Sequence, residues 1–382
     1  MLKKVCPVCG SRKIRVFYKQ PKVAALNNVV YASKSKALNA PKGEVDLTNC
    51  RNCSFIFNRN FNPQLARYTK EYDTSRSYSP VVSEYLNEVA NLCVHNFGIK
   101  RTKIVEIGSY DGEFLKLLVK KSNSSGIGID PAYEGKKKIG NTRFINNLFE
   151  NVDEVIESNV LILRHTLEHL SEPLELLRNA LKKINFKDEL RVVVEVPDFV
   201  WISKKGNYWD VTYEHCNYFT RDSLKNLFIL AGIRPINIVN TFADQYIIAY
   251  GVYRRGDITT KIEGPKNDIT KIFLKNVEKK YKRIDSILNK STEEFTIWGM
   301  SGKGVIFSNL LQNNALERIP FTMDDNKNKI GKYAPVSGLL IVPHEYLGKH
   351  YLKNILIMNP IYYQDMKNKL KKFNRGFNLV KI

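Results

Sequence analysis

KIVEIGSYDGEFLKLL, residues 103–118, is the stretch on which the fold turns. Ile104, Val105 and Ile107 make a short apolar run, Gly108 and Gly112 open a turn, and Phe114, Leu115 and Leu118 recur at helical spacing. A buried strand passing through a glycine turn into an amphipathic helix is the opening unit of an open α/β sheet. Ligands of such sheets sit at the carboxyl ends of the strands. The spacing is Gly-x-x-x-Gly, and the loop lacks the Gly-Lys-Ser/Thr ending that grips polyphosphate, which argues against a nucleoside triphosphatase.

Outward from this stretch the pattern repeats. SGIGID, NVLILRH, LRVVVEVPD and QYIIAYGVY read as strands, and PLELLRNALKKI and SLKNLFILAGI as helices between them. Val/Ile/Leu runs alternating with amphipathic helices predict a doubly wound, Rossmann-like α/β domain with a parallel sheet covered on both faces. We place it over residues 66–255. A Lys-rich linker helix is expected within 256–290, and a second, smaller Rossmann-like α/β domain over 291–382, where TIWGMSGKGVIFSNLL repeats the strand, glycine loop and helix. Its loop, with Lys303, either receives a phosphate at the helix N-terminus or only packs.

Residues 1–65 are poor in periodic apolar runs but contain Cys6-x-x-Cys9 and Cys50-x-x-Cys53, four of the six cysteines. Each pair can offer two thiolates from a tight turn, so the four close a tetrahedron: a structural zinc-binding module. A redox dithiol is the weaker alternative, because neither pair lies at a strand-to-helix junction.

The chain has 382 residues, 60 Lys plus Arg against 38 Asp plus Glu, and a net charge of +22. Such a field attracts phosphates of any kind without choosing among them, and the lysines are scattered rather than clustered. No run of about 18 apolar residues spans a membrane. Lys3 and Lys4 meet Cys6 and Pro7 without a secretory apolar stretch, so a cytoplasmic location is expected.

Asp130 ends the second strand, where a carboxylate can accept bonds from ribose hydroxyls. With Glu106, Gly108, Ser109 and Gly112, this resembles the class I S-adenosylmethionine (SAM)-dependent methyltransferases. The alternative is a plain tight turn with Asp130 capping the next helix. The resemblance implies further cofactor contacts near Asn147, Leu148, Arg164 and His165.

Two segments at strand ends, RHTLEHL and WDVTYEHCNYF, each place a histidine beside an acid. Histidine is suited to moving a proton near neutral pH, which makes His215 a candidate base and His169 a second. His169 and Glu168 read equally as a solvated turn.

The cysteine pairs, YTKEYDTSRSYS (68–79), LEHL, YEHCNYF, WGMSGKGVIFSNLL and MDDNKNKIGKYAPVSGLLIVP together resemble the zinc-containing sugar C-methyltransferases that act on nucleotide-linked 4-keto-deoxysugars, or a sister group of them. The resemblance implies deprotonation beside the ketone by His215, with Glu214, His169 and Tyr72 supporting the enolate, and a nucleotide sugar as partner. Where that family has a Tyr-His-Glu-His run this chain has Thr212-Tyr213-Glu214-His215, which leaves the acceptor open. Methylation at oxygen or nitrogen of another small molecule is the alternative. RNA methylation is a lesser one, since no Asn-Pro-Pro-Tyr-like base-flipping segment follows the fourth strand.

Overall fold

The computed structural model describes residues 2–67, 72, 80–257, 261–265, 268–289 and 292–382. Around the decisive stretch, Lys103–Ile107 is a strand and Glu113–Ser122 a helix. Gly112 caps that helix at φ 73°, a left-handed conformation that costs a glycine nothing. The strand lies inside an eight-stranded sheet. Its order runs Arg234–Thr241, Tyr246–Tyr253, Leu190–Pro197, Val160–Arg164, Lys103–Ile107, Ser125–Ile129, Thr142–Ile145, Lys138–Ile139. The expected α/β Rossmann-like fold is therefore present.

The sheet is not wholly parallel, as the alternation had suggested. Tyr246–Tyr253 runs antiparallel to both Leu190–Pro197 and Arg234–Thr241. The last two strands are joined by the tight turn Phe242-Ala243-Asp244, all at positive φ, and so short a link permits only a hairpin.

The cysteine pairs flank a four-stranded antiparallel sheet of Ile14–Ala24, Lys42–Cys50 and Ile56–Asn58, completed by Asn217–Tyr218 from far along the chain. The loop carrying Glu214 and His215 thus runs directly into the N-terminal sheet. A second, wholly parallel five-stranded sheet is ordered Ile341–Val342, Thr322–Met323, Phe295–Trp298, Asn354–Ile357, Asn378–Lys381.

The helix Ile269–Asn289 buries Phe273, Val277, Ile284 and Leu288, one stripe at helical spacing. That stripe joins a core holding Val45 and Leu47 of the N-terminal sheet, Phe199 and Trp209, and Phe307 of the last sheet's helix. The same core therefore ties the three sheets' surroundings together, and the loop 208–219 is enclosed by it. No helix among the described residues is long and apolar enough to cross a membrane.

Candidate active site and cysteine cluster

Glu106, the penultimate residue of the strand Lys103–Ile107, is 2% exposed, and its Oε2 is buried without a hydrogen-bond partner. Burial pushes its pKa up to about 8, against the pull of the Arg164 guanidinium. Ser109 Oγ is also buried and unpartnered. Two unsatisfied polar atoms at one strand end are costly unless a ligand meets them.

Gly108 and Gly112 have φ of 77° and 73°, and a Cβ on either would strike Thr166 or Phe144 at 2.2 Å. The turn is therefore closed to any larger residue. Asp130 follows the second strand, and its carboxylate accepts from the amides of Tyr110 (2.8 Å) and Ala132 (2.7 Å). These bonds aim the carboxylate across the turn and partly offset the rise that burial imposes on its pKa. The residues present fit a polar nucleoside cofactor at this loop.

The remaining residues named for the cofactor have the following surroundings. Asn147 Nδ2 donates to Asn151 O, and Leu148 is 52% exposed. Arg164, expected at the cofactor, is instead turned into the sheet. Its Nε meets Glu195 at 2.7 Å, its Nη2 donates to Tyr85 OH at 2.8 Å, and the guanidinium lies 3.9 Å from the Phe114 ring centre. A buried carboxylate at Glu195 requires that cation. His165 has φ 50°, with Nε2 3.2 Å from Tyr85 OH and Nδ1 3.4 Å from Glu168.

Thr166 Oγ1 donates to Ile107 O at 3.2 Å, fastening the histidine-bearing loop onto the glycine turn. Downstream of this anchor, Glu168, His169 and His215 bring their ligating atoms within 4.8 Å of one another. His169 Nδ1 lies 3.2 Å from Glu214 O, and the two imidazoles meet edge to face with centroids 4.8 Å apart. Both rings are half-buried, whereas Glu168 is 1% exposed. The solvated-turn reading of Glu168 is thereby corrected. Burial alone would raise its pKa, but the hydrogen bond from His165 and the nearby imidazoles outweigh this and hold it below the usual carboxylate value.

Glu214 is 3% exposed and accepts from Asn27 through both the backbone amide (3.2 Å) and Nδ2 (3.0 Å). Burial raises its pKa, opposed by His169 and by hydrogen bonds from Asn27 and Tyr72. Tyr72 is thus brought to Glu214; the rest of YTKEYDTSRSYS lies outside the described residues. Asn27 carried no motif signal, because an asparagine in a loop is unremarkable until its partner is known.

In the N-terminal module, Cys6 Sγ and Cys53 Sγ are 3.6 Å apart, and Cys9 Sγ and Cys50 Sγ 3.5 Å. Four sulfurs about 2.3 Å from one zinc ion stand about 3.8 Å from each other, so small adjustments would seat the ion. Both turns close alike: Gly10 N donates to Cys6 O and Ser54 N to Cys50 O, each at 3.0 Å, with φ of 68° and 64°. Asn52 donates to Cys50 Sγ and Cys9 Sγ, as suits thiolates. The group could hold zinc.

Residues 65–237 match the family model described as a methyltransferase domain. With the fold above, this makes the segment a SAM-dependent methyltransferase domain. The chain is 25% identical over 205 residues to the C-methyltransferase NovU of Streptomyces niveus, an alignment covering 51% of this chain and 47% of that protein. The chain thus spans about half the length of this curated relative. Among solved structures, it is similar to the 1,6-didemethyltoxoflavin-N1-methyltransferase of Burkholderia thailandensis (13% identity, TM-score 0.37, 47% of this chain and 82% of that one). It is also similar to a SAM-dependent methyltransferase of Aquifex aeolicus (18% identity, TM-score 0.34, 46% and 98%).

Proposed function

We propose that this protein transfers a methyl group from SAM to a carbon of a nucleotide-linked 4-keto sugar, with His215 as the base. The observation that carries the reading is the anchoring of the 164–169 loop on the glycine turn by Thr166, with His169 and His215 facing each other just beyond it. That arrangement supports a reading in which a proton acceptor stands beside the cofactor's reactive end.

SAM, when bound, supplies the methyl group; Glu106, Ser109 and Asp130 would hold it. His215 removes the proton from the carbon next to the ketone, and the electron pair moves onto the ketone oxygen as an enolate. His169, Glu214 and Tyr72 line this position and would orient the base and meet the developing oxyanion. Residues 66–255 act as the catalytic domain, flanked by a zinc-held module at 1–65, a linker helix within 256–290 and a smaller α/β domain at 291–382. Zinc, with four thiolates and no open position, is structural. Cysteine pairs given to a metal rather than to disulfides suit a reducing, cytoplasmic setting.

Purified protein, labelled SAM and a panel of nucleotide 4-keto sugars test the assignment. Label should enter the sugar at carbon, and unchanged turnover in His215→Ala would sink the base. Methylation at oxygen or nitrogen is separated by incubating the acceptor in deuterated water without SAM, since only the carbon route exchanges the proton.

A further inference from the structure

The last sheet repeats the hydrogen bonding of the cofactor turn. In the first turn, Gly108 N donates to Ile129 O (2.9 Å), and Asp130 accepts from Tyr110 N (2.8 Å) and Ala132 N (2.7 Å). In the second, Gly299 N donates to Met323 O (2.8 Å), and Asp324 accepts from Met300 N (2.8 Å) and Asn326 N (2.9 Å). The two frames are alike but offset by one residue, since the donor to the carboxylate stands two residues past Gly108 and one past Gly299. Their contents differ.

The first crevice keeps two buried polar atoms unmet, at Glu106 and Ser109. The second is entered by the ammonium of Lys329, 1% exposed, which donates to Met300 O (3.0 Å) and Ser301 Oγ (2.6 Å) and stands 4.0 Å from Asp324. The same ammonium donates to Asn28 Oδ1 at 3.2 Å, and Asn28 Nδ2 reaches Tyr72 OH at 3.5 Å. Tyr72 in turn hydrogen-bonds the Glu214 carboxylate, which Asn27 holds from the other side. A buried lysine needs such partners, because an unpaired ammonium in a dry interior costs several kcal/mol. Lys303, the other cation of this loop, is engaged by Asp210.

From this geometry we infer that Lys329 fills the second crevice in place of a ligand and acts as a positioning residue, holding Tyr72 and Glu214 in the methyl-transfer site through Asn28. The C-terminal domain is then a structural arm of the active site and not a second cofactor site. This rests on the reading of Glu214 and Tyr72 as groups lining the reacting carbon.

Titration of the full chain with S-adenosylhomocysteine (SAH) should saturate at one molecule per chain; two would overturn the filled crevice. With 3-fluorotyrosine at position 72, the fluorine NMR resonance should move in Lys329→Met and in Asn28→Ala, while a label at the exposed Tyr351 stays put and SAH affinity is retained. An unmoved position-72 resonance in Lys329→Met that still binds SAH overturns the proposal. If Lys329→Met does not fold, Asn28→Ala decides in the same way, since it cuts the link without touching the ammonium. Retained turnover in His215→Ala would sink the catalytic reading yet leave the fluorine result standing, so the two failures are distinct.

Discussion

His169 and His215, from loops after two different strands, meet edge to face with ring centroids 4.8 Å apart, and His169 Nδ1 lies 3.2 Å from the backbone oxygen of Glu214. One ring therefore fixes the loop that carries the other. His215→Ala should lower methyl transfer by about 10²–10⁴-fold, the usual worth of a positioned base, with SAH binding retained. His169→Ala should lower it less, since it removes a support. Steady-state rates with labelled SAM give the comparison.

Glu106 provides a pH test. Its folded pKa is raised from 4.5 to about 8, so the neutral form is favoured in the fold. Its contribution is fully present below about pH 4.5 and is lost as pH rises through 8. Glu106→Gln should therefore match the parent near pH 4.5 and exceed it in ligand-free stability by a few kcal/mol, as an order of magnitude, at pH 8 and above. Denaturant melts across that range show it. Binding of the cationic cofactor should also release a proton near pH 7, visible as a buffer-dependent heat in calorimetry.

The cysteine cluster predicts one zinc per chain by elemental analysis. Cys50→Ser should lose it and destabilise the N-terminal sheet, because Cys50 also ends the Lys42–Cys50 strand. As Asn217–Tyr218 pairs with that sheet, methyl transfer should fall with zinc content. Chelator titration followed by activity and circular dichroism tests the coupling.

The Arg164–Glu195 pair is a structural prediction. Arg164→Met strands a carboxylate with no measurable exposure, and breaking a buried pair from one side costs about 3–5 kcal/mol. The double change Arg164→Met, Glu195→Leu should recover much of that loss. Thermal unfolding of the two variants against the parent checks both.

Much of the first site was legible because it is local. Glu106, Gly108, Gly112 and Asp130 lie at or just beyond the ends of two consecutive strands, and the strand-and-turn pattern places such residues without knowledge of the rest of the chain. The cysteine pairs were legible for the same reason, since each turn needs only its own residues. Arg164 was less so: its role depends on Glu195 in the adjacent strand, and a strand end alone does not say which way a guanidinium turns. Glu168 looked solvated because it stands in a short turn, while His215, part of what surrounds it, comes from another loop.

By itself the sequence determined the strand–turn–helix units, the left-handed glycines, the paired thiols and the histidines at strand ends, all properties of short range. Tertiary structure alone decided that Asn27, Asn28, Glu214 and Lys329 form one connected set. Each is a side chain whose meaning lies in a partner on another element, and which elements meet is settled by the shared apolar core around Trp209, Phe273 and Phe307, not by any local pattern.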